Sequence, residues 1–271
     1  MRLSRIVGVA LAALALLVLG LWALAPQWFT AHDPVQTDLA AAFLPPSAEH
    51  LFGTDQSGRD VFARVVYGAR YSLGVGVGAT AIAVTVGLLL GSLSGLAPRV
   101  VDTVLMRGVD VIMAFPEFLL ALVVLAVLGP GPVNVVLAVT VAAIPAYVRL
   151  VRGQTLSVRE ADYVEAATVL GLRRSTVVLR HVVPNTAGPV LVLATIGIGT
   201  CIVAAAGLSF LGLGATEPTP EWGLILAGGR NFLGRAWWIA VFPGLAITIT
   251  VVAATTIGRA LQARAAGRRL S

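Results

Sequence analysis

Lysine is absent from the whole 271-residue chain, cysteine occurs once, histidine three times, and only 12% of the residues are charged. Each shortage excludes something. A Walker-type phosphate loop needs a lysine to reach the terminal phosphates, so this chain encodes no ATP site of that kind. Cys201 lies inside an apolar run and has no second cysteine to pair with, which excludes an intrachain disulfide. His32, His50 and His181 fall in different loops, the first two on one side of the expected membrane and the third on the other, so no shared zinc centre is expected. No Gly-x-Ser-x-Gly run marks a serine nucleophile. The expectation is a chain that is not an enzyme, with no catalytic, cofactor-binding or metal-binding residues of its own.

What is plentiful is apolar surface, at 58% of residues, gathered into long blocks with the charges confined between them. A membrane-spanning helix needs about 20 mostly apolar residues. Six windows approach or meet that length: 6–25, 72–97, 111–129, 133–148, 187–212 and 238–257, the fourth being short. This pattern predicts an all-α, polytopic membrane protein with about six transmembrane helices.

The formal charge of +6 comes entirely from arginine. With six spans and the N-terminus inside, the inner segments carry Arg2, Arg5, Arg99, Arg107, Arg149, Arg152, Arg159, Arg173, Arg174, Arg180, Arg259, Arg264, Arg268 and Arg269. The outer segments carry only Arg59, Arg64, Arg70, Arg230 and Arg235. That asymmetry follows the positive-inside rule, so the basic balance reports topology and not a nucleic-acid partner. Trp22, Trp28, Trp222, Trp237 and Trp238 all fall at the outer ends of spans, where an interfacial belt places them. Arg2 and Arg5 before an apolar run also fit a signal peptide. The run is longer than a usual signal core, Pro26 would directly follow the cut, and five further spans follow, so residues 1–25 are read as a retained anchor.

Between the spans, the connections differ in character. Residues 26–71 form an outer segment that begins polar and proline-containing and turns amphipathic from Asp60 to Tyr71. Gly129-Pro130-Gly131-Pro132 is a tight outer turn, and 213–237 is an outer loop rich in proline, glycine and tryptophan. Gly87, Gly91 and Gly95 recur on one helix face and predict close approach of another helix backbone. No strand precedes these glycines, which argues against a dinucleotide fingerprint.

The longest inner loop, 149–186, carries the most information. Ser157-Val158-Arg159-Glu160 has the spacing of a capping box, which predicts a helix from there to Leu170 with Gly171 as its stop. On it, Glu165 is followed by the small residues Ala166 and Ala167, and Arg173, Arg174 and Arg180 come after. A solvated loop helix that merely enforces topology fits these features as well as a docking surface does.

The run Glu165-Ala166-Ala167-x-x-x-Gly171, continuing to Arg180-His181-Val182-Val183-Pro184-Asn185, resembles the EAA loop of permease subunits of bacterial ABC importers. Three further stretches are similar to the C-type subunit of the dipeptide/oligopeptide/nickel branch. They are Leu51 to Asp60 with Tyr67-Gly68-Ala69-Arg70, then Gly207 to Gly214, then Pro220-Glu221-Trp222-Gly223. Val183 departs from the commoner leucine. The resemblance covers about residues 50–258 and implies a type I ABC importer transmembrane fold. The implied division is an N-terminal helix and outer segment (1–68), a permease core (69–260) containing the EAA loop (157–185), and a basic cytoplasmic tail (261–271).

The resemblance also implies that the EAA helix docks on a cytoplasmic ATPase, with Glu165, Ala166, Ala167, Gly171, Arg173 and Arg174 at the contact. Implied partners are a homologous permease, two ATPase subunits that bind the ATP and Mg, an extracytoplasmic substrate-binding protein and membrane lipid. The location implied is a bacterial inner membrane, with both termini cytoplasmic. Peptides are the favoured cargo. An ion-gradient-driven secondary transporter is the alternative, and it would need no ATPase-docking loop.

Outside that loop, Glu217, Glu221 and Trp222 are candidates for contact with the binding protein or its cargo, against a rigid structural turn. Glu117, an acidic residue inside an apolar block, is the candidate for the pathway or for packing on the partner permease. Asp110 is expected at the inner edge. Asp55, Ser57 and Asp60 lack the ligand count of a calcium loop.

Overall fold

The computed structural model describes residues 2–162, 164, 176, 180 and 183–267. Among them the chain is helical, with one isolated bridge, Thr54 to Asp60. The helices are α1 (Arg2–Leu24), α2 (Val61–Leu96), α3 (Arg99–Met113), α4 (Glu117–Leu128), α5 (Pro132–Arg159), α6 (Val183–Phe210), the short α7 (Trp222–Gly229) and α8 (Trp238–Gly267). Five of these are long and apolar enough to cross a membrane. The bent pair α3 and α4 raises the number to six if it counts as one span.

Three expected spans need correction. α2 starts at Val61 rather than near 72, because Asp60 caps it by accepting the Ala63 N–H, and nothing between Arg64 and Tyr71 breaks a helix. It runs unbroken through residues 68 and 69. Its 36 residues reach about 54 Å, well beyond a hydrocarbon core of about 30 Å. α5, expected to be short, has 28 residues; Arg149, Arg152 and Arg159 end its apolar character but not its helix. The 111–129 window is split: α3 and α4 meet at 93°, with Pro116 at the break, where proline disfavours helical geometry in the residue before it. The capping box also fails. Ser157 lies inside α5, and the Glu160 N–H donates to Leu156 as a helix continuation.

The predicted glycine face is a close helix–helix seam. A Cβ on Gly87 would lie 2.4 Å from Cβ of Tyr147, one on Gly91 2.6 Å from Cβ of Val151, and one on Gly95 2.7 Å from Cγ2 of Thr155. Both partners of the seam step by four residues, so the i±4 ridge of α5 lies in a groove that glycine opens on α2. α4 and α6 complete this core through Ala121, Leu125, Cys201, Ala205 and Leu208. A second core unites Leu19, Val61, Val65, Trp222, Trp238 and Ile239, from α1, α2, α7 and α8.

Many large apolar side chains stand on the surface of the spans. Val127 and Leu24 are 82% and 84% exposed, as suits a chain clothed by lipid or by another membrane subunit. The tryptophans gather at one end, called here the tryptophan end, but not as a belt. Trp28 and Trp237 face outward, while Trp222 and Trp238 are buried.

The seam sets a paired prediction for the detergent-solubilised chain. Gly91→Ala places a methyl against Val151 and the Val148 carbonyl and should cost about 1–3 kcal/mol. Gly78→Ala, on the same helix with nothing within 4 Å, should gain up to about 1 kcal/mol. Thermal unfolding of the two variants measures both.

Candidate functional site

At the tryptophan end, the loop before α2 folds around one carboxylate. Oδ1 of Asp55 accepts the N–H groups of Ser57 (2.8 Å) and Arg59 (3.0 Å), turning the loop back on itself. Gly58 adopts a φ of 74°, and a Cβ there would fall 1.6 Å from the Asp38 carbonyl oxygen. Oδ2 of Asp55 accepts Arg59 Nε at 2.7 Å and Arg64 Nη1 at 3.0 Å. Both guanidinium groups then reach Glu217 of the distant 213–237 loop, at 2.5 Å from Arg59 and 3.1 Å from Arg64.

Two positive and two negative charges therefore cancel in one cluster. Asp55, Arg59 and Arg64 are 2%, 4% and 1% exposed, whereas the Glu217 side chain is 43% exposed. Three of its members are committed to the protein interior, and the fourth faces water.

The same loop is pinned by its neighbours. Trp222 is fully buried and donates its indole N–H to the Val65 carbonyl at 2.8 Å. Gly68 of α2 lets the loop approach, since a Cβ there would meet the Pro220 carbonyl at 2.2 Å. Glu221 caps α7 by accepting the N–H groups of Gly223 (2.9 Å) and Leu224 (2.8 Å). Burial pushes its carboxyl above the ordinary glutamate range, and those two N–H groups draw it back. Trp222 is thus withdrawn from any external partner, because its ring is core to the α2–α7 contact. Glu221 faces a cavity of about 180 Å³ between α2, α5 and α6, lined also by Tyr71, Ser72, Ser209 and Thr216. Of the outer-loop candidates, only Glu217 offers its carboxylate to solvent.

The opposite end, called the arginine end, is clamped by ion pairs. Asp102 of α3 holds Arg152 of α5 through two hydrogen bonds, at 2.5 and 2.6 Å, and also accepts the Ser94 hydroxyl of α2 at 2.5 Å. Asp110 pairs with Arg149 at 2.5 Å, both half exposed, and Arg159 donates to the Gly95 carbonyl at 3.2 Å. This clamp fixes the helix end from which residues 160–182 depart. Glu165, Ala166, Ala167, Gly171, Arg173 and Arg174 lie outside the described residues, as does His181. Glu117 is exposed at the first turn of α4, where free N–H groups favour an acidic residue.

In the sequence Asp55 and Arg59 belong to the Leu51 to Asp60 stretch, and Arg64 stands out only as one of the outer arginines. Their partnership with Glu217 crosses more than 150 positions, and its one local sign was charge beside apolar runs, which demands a partner. A second grouping went unseen: His32, His50 and Asp60 come together, contrary to the expectation that the histidines are dispersed.

Residues 87–270 match the family described as binding-protein-dependent transport system inner membrane component. Among curated relatives, a probable D,D-dipeptide transport system permease protein of Escherichia coli K12 is 44% identical, across 85% of this chain and 78% of that protein. A dipeptide transport system permease protein of Alkalihalophilus pseudofirmus is 41% identical, across 86% and 77%. A glutathione transport system permease protein of Escherichia coli O6:K15:H31 is 44% identical, across 93% and 83%. Among solved structures, a chain of an amino acid ABC transporter aligns with a TM-score of 0.58 at 14% identity, across 74% of this chain and 94% of that one. A chain of a methionine ABC transporter in an inward-facing conformation aligns at 0.56 and 19%, across 73% and 95%. At those identities the likeness concerns the fold.

The charge cluster makes a graded prediction. Asp55→Asn leaves two buried guanidinium groups facing one half-exposed carboxylate and should cost about 3–5 kcal/mol. Glu217→Gln removes a water-facing partner and should cost about 1 kcal/mol or less. Denaturation of both variants in the same detergent would show the order; equal losses would refute the idea that burial sets the weights.

Proposed function

Because this chain belongs to the family of binding-protein-dependent transport system inner membrane components, we propose that it forms half of the translocation pathway of an ATP-driven importer of short peptides. The other half is a homologous permease. The energy comes from two cytoplasmic ATPase subunits, which bind the ATP and Mg, and the cargo arrives on an extracytoplasmic binding protein. In this reading the chain catalyses no reaction itself. The tryptophan end faces outward and the arginine end faces the cytoplasm, with both termini inside.

Membership carries the transport reading, and the names of the relatives carry the cargo. Dipeptides, D,D-dipeptides and glutathione share a short, zwitterionic peptide character. The arginine clamp supports the coupling half of the mechanism. A rigid α5, tied to α2 and α3 through Arg159, Arg152 and Arg149, transmits a displacement of the segment that follows instead of absorbing it. In that segment Glu165 pairs with a basic or polar group of the ATPase, Ala166 and Ala167 permit close approach, and Gly171 sets the bend, flanked by Arg173 and Arg174. At the opposite end Glu217 is the residue offered to the binding protein or its cargo, while Glu117 faces the pathway or the partner permease.

Co-purification tests the docking role. Glu165→Arg in the complete complex should lower recovery of the ATPase subunits with the permease at least about tenfold, as breaking an interfacial charge pair does, while membrane insertion is unchanged. Full recovery of the ATPases would remove Glu165 from the interface.

A further inference from the structure

His32, His50 and Asp60 come from three separate turns of the segment before α2, yet their ligand atoms all lie within 4.8 Å of one another. Nδ1 of His50 is 2.8 Å from Oδ2 of Asp60, and Nδ1 of His32 is 3.2 Å from the same oxygen. The two imidazole rings stand at 67°, with centroids 5.3 Å apart, so they converge on the carboxylate from different directions. We propose that His32, His50 and Asp60 form a binding site for a borderline divalent metal ion, zinc before others, which fastens the segment before α2 to the start of that helix.

The ligand chemistry fits. Two imidazoles and one carboxylate with an open position suit zinc, and such a site completes its tetrahedron with water. Ligand atoms about 2.0–2.1 Å from a tetrahedral zinc stand about 3.3 Å from one another. The His32 edge already has that length, and the His50 edge needs to open by about half an ångström.

The surrounding contacts orient the carboxylate and hold the turns that carry the two histidines. Oδ1 of Asp60 is taken by the Ala63 N–H at 2.7 Å, which leaves Oδ2 as a single directed donor. The backbone N–H of His50 donates to Ser47 Oγ and that of His32 to Thr30 Oγ1, both at 3.1 Å, which fixes the turns that carry the two rings. Asp60 is buried, His50 is mostly buried and His32 is accessible. Beside them opens a polar cavity of about 340 Å³, with Asp33 and Glu49 on its wall. These acidic groups would draw a cation inward, and the cavity leaves room for a water in the fourth position. The proposal does not depend on the transport cargo, since it concerns a resident ion on this chain.

Without an ion, the same geometry is satisfied by two Nδ1–H groups donating to Asp60, and the experiment separates these states. The full chain is purified in detergent, stripped with chelator and titrated with Zn2+ alone against a competing indicator. Co2+ loading is followed through its visible d–d absorption. Wild type should bind one equivalent, show the band of tetrahedral cobalt with nitrogen and oxygen ligands, and melt at higher temperature with zinc. His50→Ala should weaken binding by at least about tenfold, as should Asp60→Asn, which keeps the helix cap but loses the anionic ligand. Asp33→Asn, on the cavity wall only, should keep one equivalent. If wild type takes up no zinc, or if the His32→Ala/His50→Ala double variant binds as wild type does, the three residues are a hydrogen-bonded link and the proposal fails.

Discussion

The approach of α2 to α5 at Gly87, Gly91 and Gly95 is the constraint on which the rest of the structure rests. Inside a bilayer the lipid tails are as apolar as the side chains, so helices associate by fit and not by escape from water. Removing Cβ at three successive turns of α2 lets Tyr147, Val151 and Thr155 pack against its backbone. Once these two long helices lie together, α4 and α6 have a single groove to fill, and the core of small residues around Ala79, Ala83 and Ala138 follows.

Both helices are longer than a hydrocarbon core of about 30 Å requires, and that excess builds the two ends of the molecule. The surplus of α2 carries Arg64 and Val65 into contact with the 213–237 loop, through Glu217 and Trp222. The surplus of α5 carries Arg149, Arg152 and Arg159 to the carboxylates of α3 and to the end of α2. The two ends are thus held by different means, buried charge and indole contacts at one and partly exposed ion pairs at the other.

Much of this was legible in the sequence. The apolar blocks gave the class, the i, i+4 glycines gave the seam, and the EAA run with its three companion motifs gave the family. Helix ends were harder, because the sequence marks where a helix leaves lipid and not where it stops. Arg70 and Arg149 bound apolar runs without ending helices. The 93° break at Pro116 was hidden because the residues on both sides remain apolar. Ser157 misled as a cap because a capping box matters only where a helix begins, and α5 had not ended. Tryptophan at span ends suggested a belt, but an indole N–H facing a backbone carbonyl is satisfied equally well in a core, as at Trp222 and Trp238. The pairs Arg64 with Glu217 and His32 with Asp60 depend on how loops fold over one another, which no local pattern encodes.

The central claim is that this scaffold moves a peptide at the expense of ATP hydrolysed on partner subunits. Uptake of a labelled dipeptide into proteoliposomes containing the permease pair, the ATPases and the binding protein tests it most directly, with ATP or an ion gradient supplied separately. Uptake that requires ATP and the binding protein, and ignores the gradient, is the expected result. Uptake driven by the gradient in liposomes lacking the ATPases would contradict the claim and make the chain a secondary transporter.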